Sequence, residues 1–405
     1  MLPGCIKEGQ TVNYIDSLFT STSAVCVTGL ISIDVGDHFT MAGQAVIMLL
    51  IQVGGLGVTT LGTGVLLVMK RHVSLKDRSM IQESLNLIDT KTIYGLFKRV
   101  FIYTFIIEII GAALSFISFY QQYPLGEAIF ISFFHSIAAF NNSGFDVFGG
   151  LVNMQIYQND ILLNVVTMVL IVLGGLGFLV LSDILKCKFH LKKTSLHTKV
   201  VLSMTISLII IGTLALKLTE RGNISWLGAA FTSVSSRTAG FATFDIGKFS
   251  QAGLIVLVIL MFIGASPGST GGGIKTTTLF VMIKGIHSML THKDPNAFKY
   301  SISRETIKKA MVVFALAIAI VLGGTLIVSL IEPHLGIDKV LFEITSAYGT
   351  VGLSTGITTA LSVGSKIVLI ITMYIGRVGP LTFMSLWYTG KELPYQYAEG
   401  VIPIG

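Results

Sequence analysis

The chain has 405 residues, 52% of them hydrophobic and 12% charged, about half the charged share of a soluble domain, roughly 25%. That excludes a soluble enzyme, and 43 glycines without a G-x-y period exclude collagen. The net charge of +7 follows from basic loops and needs no nucleic-acid partner, and Cys5, Cys26 and Cys187 have no spacing for a disulfide framework or zinc site.

A membrane span needs about 20 mostly apolar residues. In chain order, long apolar runs fall near 41–69, 98–119, 160–185, 198–218, 252–290, 308–331 and 364–389, which predicts seven crossings, the fifth interrupted at Gly264–Gly273. Between them lie four shorter, semi-polar segments, 14–28, 126–140, 226–237 and 339–349, each ending in a Gly-containing polar stretch. They are too short to span and read as re-entrant helices.

Lysine and arginine set the orientation. The loops 70–99, 186–199 and 284–309 hold 18 of the 28 basic residues, and Lys391 adds one in the tail. Lys7, Lys217, Arg221, Lys248, Lys339 and Lys366 lie on the other side. The basic loops and the C-terminus are therefore expected in the cytoplasm, with the short segments entering from outside.

Four segments align on a glycine: Thr22 to Gly29, Ile137 to Gly144, Ser233 to Gly240 and Thr345 to Gly352, each followed by Leu or Phe. A second glycine pair follows each time: Gly54/Gly57, Gly174/Gly177, Gly264/Gly268 and Gly376/Gly379. Small residues pack membrane helices, but that does not account for four aligned glycines closing four polar segments on one side. The expected fold is all-α and polytopic, with four helix/pore-loop/helix units around a central pore. The units divide as 1–97 (pore loop and inner helix), 98–197, 198–307 (with the broken inner helix) and 308–405 (with the tail). Irregular backbone at membrane depth is tolerated where it lines a cavity. Glycine permits the required turns, and backbone carbonyls there can replace a cation's hydration shell. The aligned turns are nearly free of acids.

The fifth run breaks at Gly264-Ala265-Ser266-Pro267-Gly268-Ser269-Thr270-Gly271-Gly272-Gly273. Each interior Gly costs about 1 kcal/mol and Pro about 3, so this stretch opens into a loop below the third turn, where it can gate the pore. It resembles a P-loop loosely, with one residue too many before Lys275 and no preceding strand. Arg377 lies within the last apolar run. It is expected to hold loop carbonyls or repel a cation, with snorkelling at the helix end the alternative. Lys275 either senses the pore or supports local carbonyls, and Arg237 reads as a brace for the third turn, with an ion barrier the alternative. Glu108 and Asp183 are candidates for proton relay or ion pairing, with helix packing equally open. His135 reads as a packing residue that donates a hydrogen bond. Asn141 and Asn142 replace the small residues or Thr of other turns and can tune affinity. No catalytic or metal-ligand cluster is visible.

These motifs resemble the Trk/Ktr/HKT superfamily of K⁺ transporters, with the bacterial Ktr-type membrane subunit as the nearest likeness. The resemblance covers essentially the whole chain. It rests on Arg237-Thr-Ala-Gly-Phe241, Gly349-Thr-Val-Gly352, the stretch Gly264–Thr278 and Gly376-Arg377-Val-Gly-Pro380. It implies a selectivity filter built from Cys26-Val27-Thr28-Gly29, Asn141-Asn142-Ser143-Gly144, Arg237-Thr238-Ala239-Gly240 and Gly349-Thr350-Val351-Gly352. A glycine in all four turns goes with K⁺ selectivity in that family. The turns are less regular than TVGYG, so some Na⁺ passage is expected. The resemblance also implies a homodimer of pore subunits on a cytosolic nucleotide-binding RCK/KTN ring, and no covalent cofactor. The family's first outer helix has no counterpart before Tyr14 and is expected to be missing. A Na⁺-coupled organic-solute symporter is the alternative, since broken helices suit it, although four re-entrant loops do not. A nucleotide-driven pump would need a partner, because the chain has no large cytosolic domain.

Overall fold

The computed structural model describes residues 4–57 and 93–385. The end of the first apolar run, most of the basic loop 70–99, and the tail with Lys391 lie outside these residues. The helices in chain order are α1 Tyr14–Val25, α2 Val35–His38, α3 Met41–Leu56, α4 Ile93–Phe119, α5 Leu125–Phe140, α6 Ile161–Leu176, α7 Phe178–Lys186 and α8 Leu196–Thr219. There follow α9 Trp226–Ser235, α10 Gln251–Phe262, α11 Thr276–Thr291, α12 Arg304–Ile331, α13 Ile337–Gly349, α14 Val363–Val378 and α15 Pro380–Ser385. A two-residue hairpin, Asn296–Ala297 with Tyr300–Ser301, precedes α12.

The long helices are built inside out. On α4, Thr104, Glu108, Ser115 and Ser118 are buried, while Ile102, Phe105, Ile106, Ile109 and Ile110 are exposed. The buried residues recur at helical spacing and face protein, and the apolar face suits lipid. Residues Arg99–Phe119, α8 and α12 are each long and apolar enough to cross a membrane. With several shorter apolar helices beside them, this is a multi-pass membrane protein.

Hydroxyl and carboxylate caps start the helices. Asp160, Ser195, Ser225, Ser250 and Ser303 each accept from a backbone amide one turn into the helix, satisfying an otherwise orphan donor. Glu220, at the end of α8, accepts from the Ser250 hydroxyl at 2.8 Å. Glu332, at the end of α12, accepts from the Ser362 amide at 2.9 Å. The same device thus ties two long helices to the starts of α10 and α14.

Two long apolar runs expected as continuous helices are corrected. The run 160–185 is two helices, α6 and α7, bent by 95°, and the run 364–389 breaks between α14 and α15. Gly57, Gly177 and Gly379 end α3, α6 and α14 with φ of 84°, 89° and 97°, a conformation that glycine alone adopts without strain. The run 252–290 breaks as expected, between α10 and α11.

The short helices α1, α5, α9 and α13 form the centre. Each of α3, α6, α10 and α14 packs on the next short helix, α5, α9, α13 and α1 respectively, which closes a ring. Phe19, Cys26 and Leu30 from the start of the chain share one core with Val340, Tyr348 and Met373 from its end. Asp16 on α1 and Lys366 on α14, both buried, pair at 2.8 Å across the same seam.

Candidate functional site

The four aligned turns come together at the ring's centre. Gly29, Gly144, Gly240 and Gly352 all have positive φ, from 68° to 94°. A β-carbon on Gly29 would collide with the Ser143 carbonyl, on Gly144 with Ala239, on Gly240 with Val351, and on Gly352 with Thr28. The collisions run cyclically through the four turns, so each glycine is what lets its neighbour approach.

Two residues earlier, Val27, Asn142, Thr238 and Thr350 also have positive φ, from 49° to 74°. For β-branched side chains this conformation is strained. The amides of the turns are spent on the helix ends behind them: Thr28 donates to the Ser23 carbonyl at 2.8 Å, Ser143 to Ala138 at 2.8 Å, Ala239 to Ser235 at 2.9 Å and Val351 to Ser346 at 2.9 Å. Among the described residues, nothing donates to the carbonyls of Val27, Thr28, Asn142, Ser143, Thr238, Ala239, Thr350 and Val351. All eight residues are 0% exposed. Buried backbone carbonyls are nearly always paired, so eight unpaired ones gathered at one centre set this ring apart from the rest of the fold.

The side chains of the first turn residues point elsewhere. Arg237 reaches back to the Thr205 carbonyl on α8 at 3.3 Å, in keeping with a brace. Asn141 turns toward Gln52 and Glu108. Asn142 meets the Thr238 hydroxyl at 3.2 Å.

Directly against this ring lies the glycine-rich loop. Its neck is closed by the Gly264 amide donating to the Ile274 carbonyl at 2.8 Å. Gly272 donates to the Thr350 hydroxyl at 2.9 Å, and a β-carbon on Gly271 would overlap Thr238 Oγ1. The broken helix ends hold the loop from three sides. Ser266 and Thr270 donate to the carbonyls of Gly175 (3.1 Å) and Gly174 (3.4 Å), and Gly273 donates to Gly376 (3.2 Å). The Arg377 guanidinium donates to the carbonyls of Thr270, in the loop, and Gly54, at the end of α3. The side chain is turned inward onto these carbonyls and does not snorkel. Lys275 donates to the Gly271 carbonyl at 2.7 Å, so it supports the loop. The first glycine of three pairs has a second use. A β-carbon on Gly54, Gly174 or Gly376 would strike the carbonyl of Val25, Phe140 or Tyr348 at the end of a short helix.

On the other side of the ring a cavity of about 170 Å³ is lined by the four glycines and by Asp34, Asp146 and Asp245. Asp146 accepts from the Phe148 amide at 3.1 Å and from Asn153 at 2.7 Å. Burial, with Asp34 and Asp37 nearby, pushes its carboxyl up to about 7. Sequence reasoning missed this acidic mouth. The signal was present in part: Asp34 and Asp245 each stand five residues after an aligned glycine. It also missed Glu343, buried on α13, which accepts from Ser354 at 2.6 Å and Thr358 at 2.9 Å and so fixes the extended segment leaving Gly352. Asp183 accepts from Ser195 and Thr198 at the start of α8, a helix-packing role. His135 meets Thr167 Oγ1 at 2.8 Å and packs edge-on to Phe119 and Phe241, as expected of a packing residue.

Fold and site together define a multi-pass membrane protein with unpaired backbone oxygens gathered at its centre. The sequence profile of the TrkH family, described as cation transport protein, matches residues 2–389. The Ktr system potassium uptake protein B of Bacillus subtilis is 37% identical over 418 residues, covering 100% of this chain and 92% of that protein. The potassium/sodium uptake protein NtpJ of Enterococcus hirae is 36% identical over 421 residues, with the same coverage. The crystal structure of the potassium transporter TrkH from Vibrio parahaemolyticus superposes with a TM-score of 0.75 at 19% identity, over 94% of this chain and 79% of that one. The chain belongs to the TrkH/Ktr family of cation transporters; it is not an enzyme.

Proposed function

We propose that the chain takes up K⁺ across the cell membrane through the central ring, which acts as a K⁺-selective filter that also passes some Na⁺. The observation that carries this reading is the set of eight buried carbonyls without a donor, arranged around four touching glycines. A desolvated monovalent cation is the ligand such oxygens suit, and the relatives named for potassium or potassium/sodium uptake favour K⁺. The filter is Cys26–Gly29, Asn141–Gly144, Arg237–Gly240 and Gly349–Gly352, and the chain is organised as four units, 1–97, 98–197, 198–307 and 308–405.

Loop Gly264–Gly273 is the gate, with Arg377 as its latch and Lys275 as its internal support. The gate opens when the loop leaves the carbonyls of Gly174, Gly175 and Gly376. The basic loops and the C-terminus face the cytoplasm, following the lysine and arginine bias. The functional assembly is a homodimer on a cytosolic nucleotide-binding ring, a partner that the resemblance to Ktr-type subunits suggests.

The test is uptake of K⁺ and Na⁺ into proteoliposomes holding the full chain, with organic solutes as competitors. K⁺ uptake that no organic solute competes is the expected result. Solute uptake driven by Na⁺, without independent K⁺ flux, would replace this reading with a symporter.

A further inference from the structure

Glu108 is a carboxyl in the middle of the long apolar helix α4, 3% exposed and facing the protein. None of the ion pairs among the described residues reaches it. Ionisable groups at such depth are expensive and mark functional positions. Its two oxygens are engaged by neutral amides: Oε2 accepts from Gln52 Nε2 at 3.2 Å, and Oε1 from Asn141 Nδ2 at 3.0 Å. Asn141 also donates to Gln52 Oε1 at 2.9 Å, which closes a triangle. The triangle joins the inner helix α3, the long helix α4 and the first residue of the second turn.

Two observations tie this triangle to the turn and not to packing alone. A β-carbon on Gly55 would overlap Asn141 Oδ1, so α3 is shaped to admit the amide. The third turn is also anchored the same way. Its first residue, Arg237, reaches a long helix 32 positions earlier, at Thr205, and Asn141 reaches Glu108 33 positions earlier. Asn141 is followed directly by Asn142, whose positive φ starts the carbonyl sequence of the second turn. Rotation of Asn141 would therefore move the Asn142 and Ser143 carbonyls.

We propose that Glu108, through Asn141, is a positioning residue that sets the discrimination between K⁺ and Na⁺ at the second turn. The proposal rests on the filter reading above. Size discrimination by carbonyls depends on where they are held, so loosening one turn lowers the ratio without closing the path.

The experiment is the K⁺/Na⁺ permeability ratio, from bi-ionic potentials across proteoliposomes holding the full chain. Glu108→Ala is expected to lower the ratio about fivefold or more, as Asn141 loses its carboxylate acceptor and Gln52 Nε2 is left without one. Glu108→Gln, which keeps an acceptor for Asn141, is expected to stay within about twofold of the parent. Asn141→Ala combined with Glu108→Ala should lower the ratio no further than either alone. A purely structural role would reduce the amount of folded protein and leave the ratio of what folds unchanged, which would overturn the proposal. Should Glu108→Ala fail to assemble, Gln52→Leu tests the same triangle without emptying α4; a retained ratio there overturns the proposal and a lowered one supports it. A parent that passes both ions equally overturns the filter reading, and this inference with it. A discriminating parent matched by Glu108→Ala overturns this inference alone.

Discussion

At the scale of single residues, the site depends on backbone geometry that particular side chains permit or forbid. Arg377 holds the loop from across the ring, and its hydrogen bonds are of the charged kind, about 1.5–3 kcal/mol each. Arg377→Ala should therefore shift the loop toward its open position and raise basal K⁺ flux about tenfold or more, measured as uptake at zero applied potential. Unchanged flux in folded protein would make Arg377 a mere anchor. Asp146 makes a pH prediction. Burial holds its carboxyl near 7, so it is charged above that pH and neutral below it. The mouth then loses a negative charge as the pH on its side of the membrane falls through about 7, and the KM for K⁺ should rise. Asp146→Asn should show the high KM at every pH, with no inflection. The meeting of the four aligned glycines, the broken loop and the inward Arg377 were legible in the sequence, because repetition and an out-of-place charge are visible there. Asp146, Glu343 and the Glu108–Gln52–Asn141 triangle were not recognisable as site parts. Their partners lie on other helices, and an isolated acid in a sequence does not name its hydrogen-bond donors.

At the scale of elements, the fold consists of uninterrupted outer helices and inner helices that stop short. Within the described residues, apolar run length located the long helices, and the semi-polar Gly-ended segments located all four short ones, to within a few residues. Run length missed the breaks at Gly177 and Gly379, because Gly-Gly-Leu-Gly and Gly-Arg-Val-Gly-Pro read equally as helix packing or helix end. What decides between them is the neighbouring carbonyl. Gly174 and Gly376 abut the carbonyls of Phe140 and Tyr348, so each inner helix presses onto a short helix and ends there. The freed carbonyls of Gly174, Gly175 and Gly376 then receive the loop's amides. Gly174→Ala should push α6 off α5 and weaken both contacts. The expected result is a melting temperature lowered by several degrees, about 1–3 kcal/mol of overpacking, together with raised basal flux. A destabilised protein with unchanged basal flux would separate the two roles and contradict this account of the pair.

At the scale of the whole molecule, the chain's start and end must meet for the ring to close. The seam carries a buried ion pair, Asp16 with Lys366, and a shared core with Phe19 and Tyr348. Removing one partner of a buried pair costs about 3–5 kcal/mol because the other charge stays behind. Lys366→Met should therefore lower thermal stability in detergent markedly, and the double variant with Asp16→Leu should recover much of the loss. Closure matters because each aligned glycine touches the next turn, the fourth touching the first. The most direct test of that arrangement is the K⁺/Na⁺ permeability ratio of four single variants, Gly29→Ser, Gly144→Ser, Gly240→Ser and Gly352→Ser. Each forces a side chain into a left-handed conformation, about 1–2 kcal/mol, and against a neighbouring carbonyl. All four should lose K⁺ preference by about tenfold or more. A folded variant at any of the four positions that keeps the parent's ratio would contradict the ring.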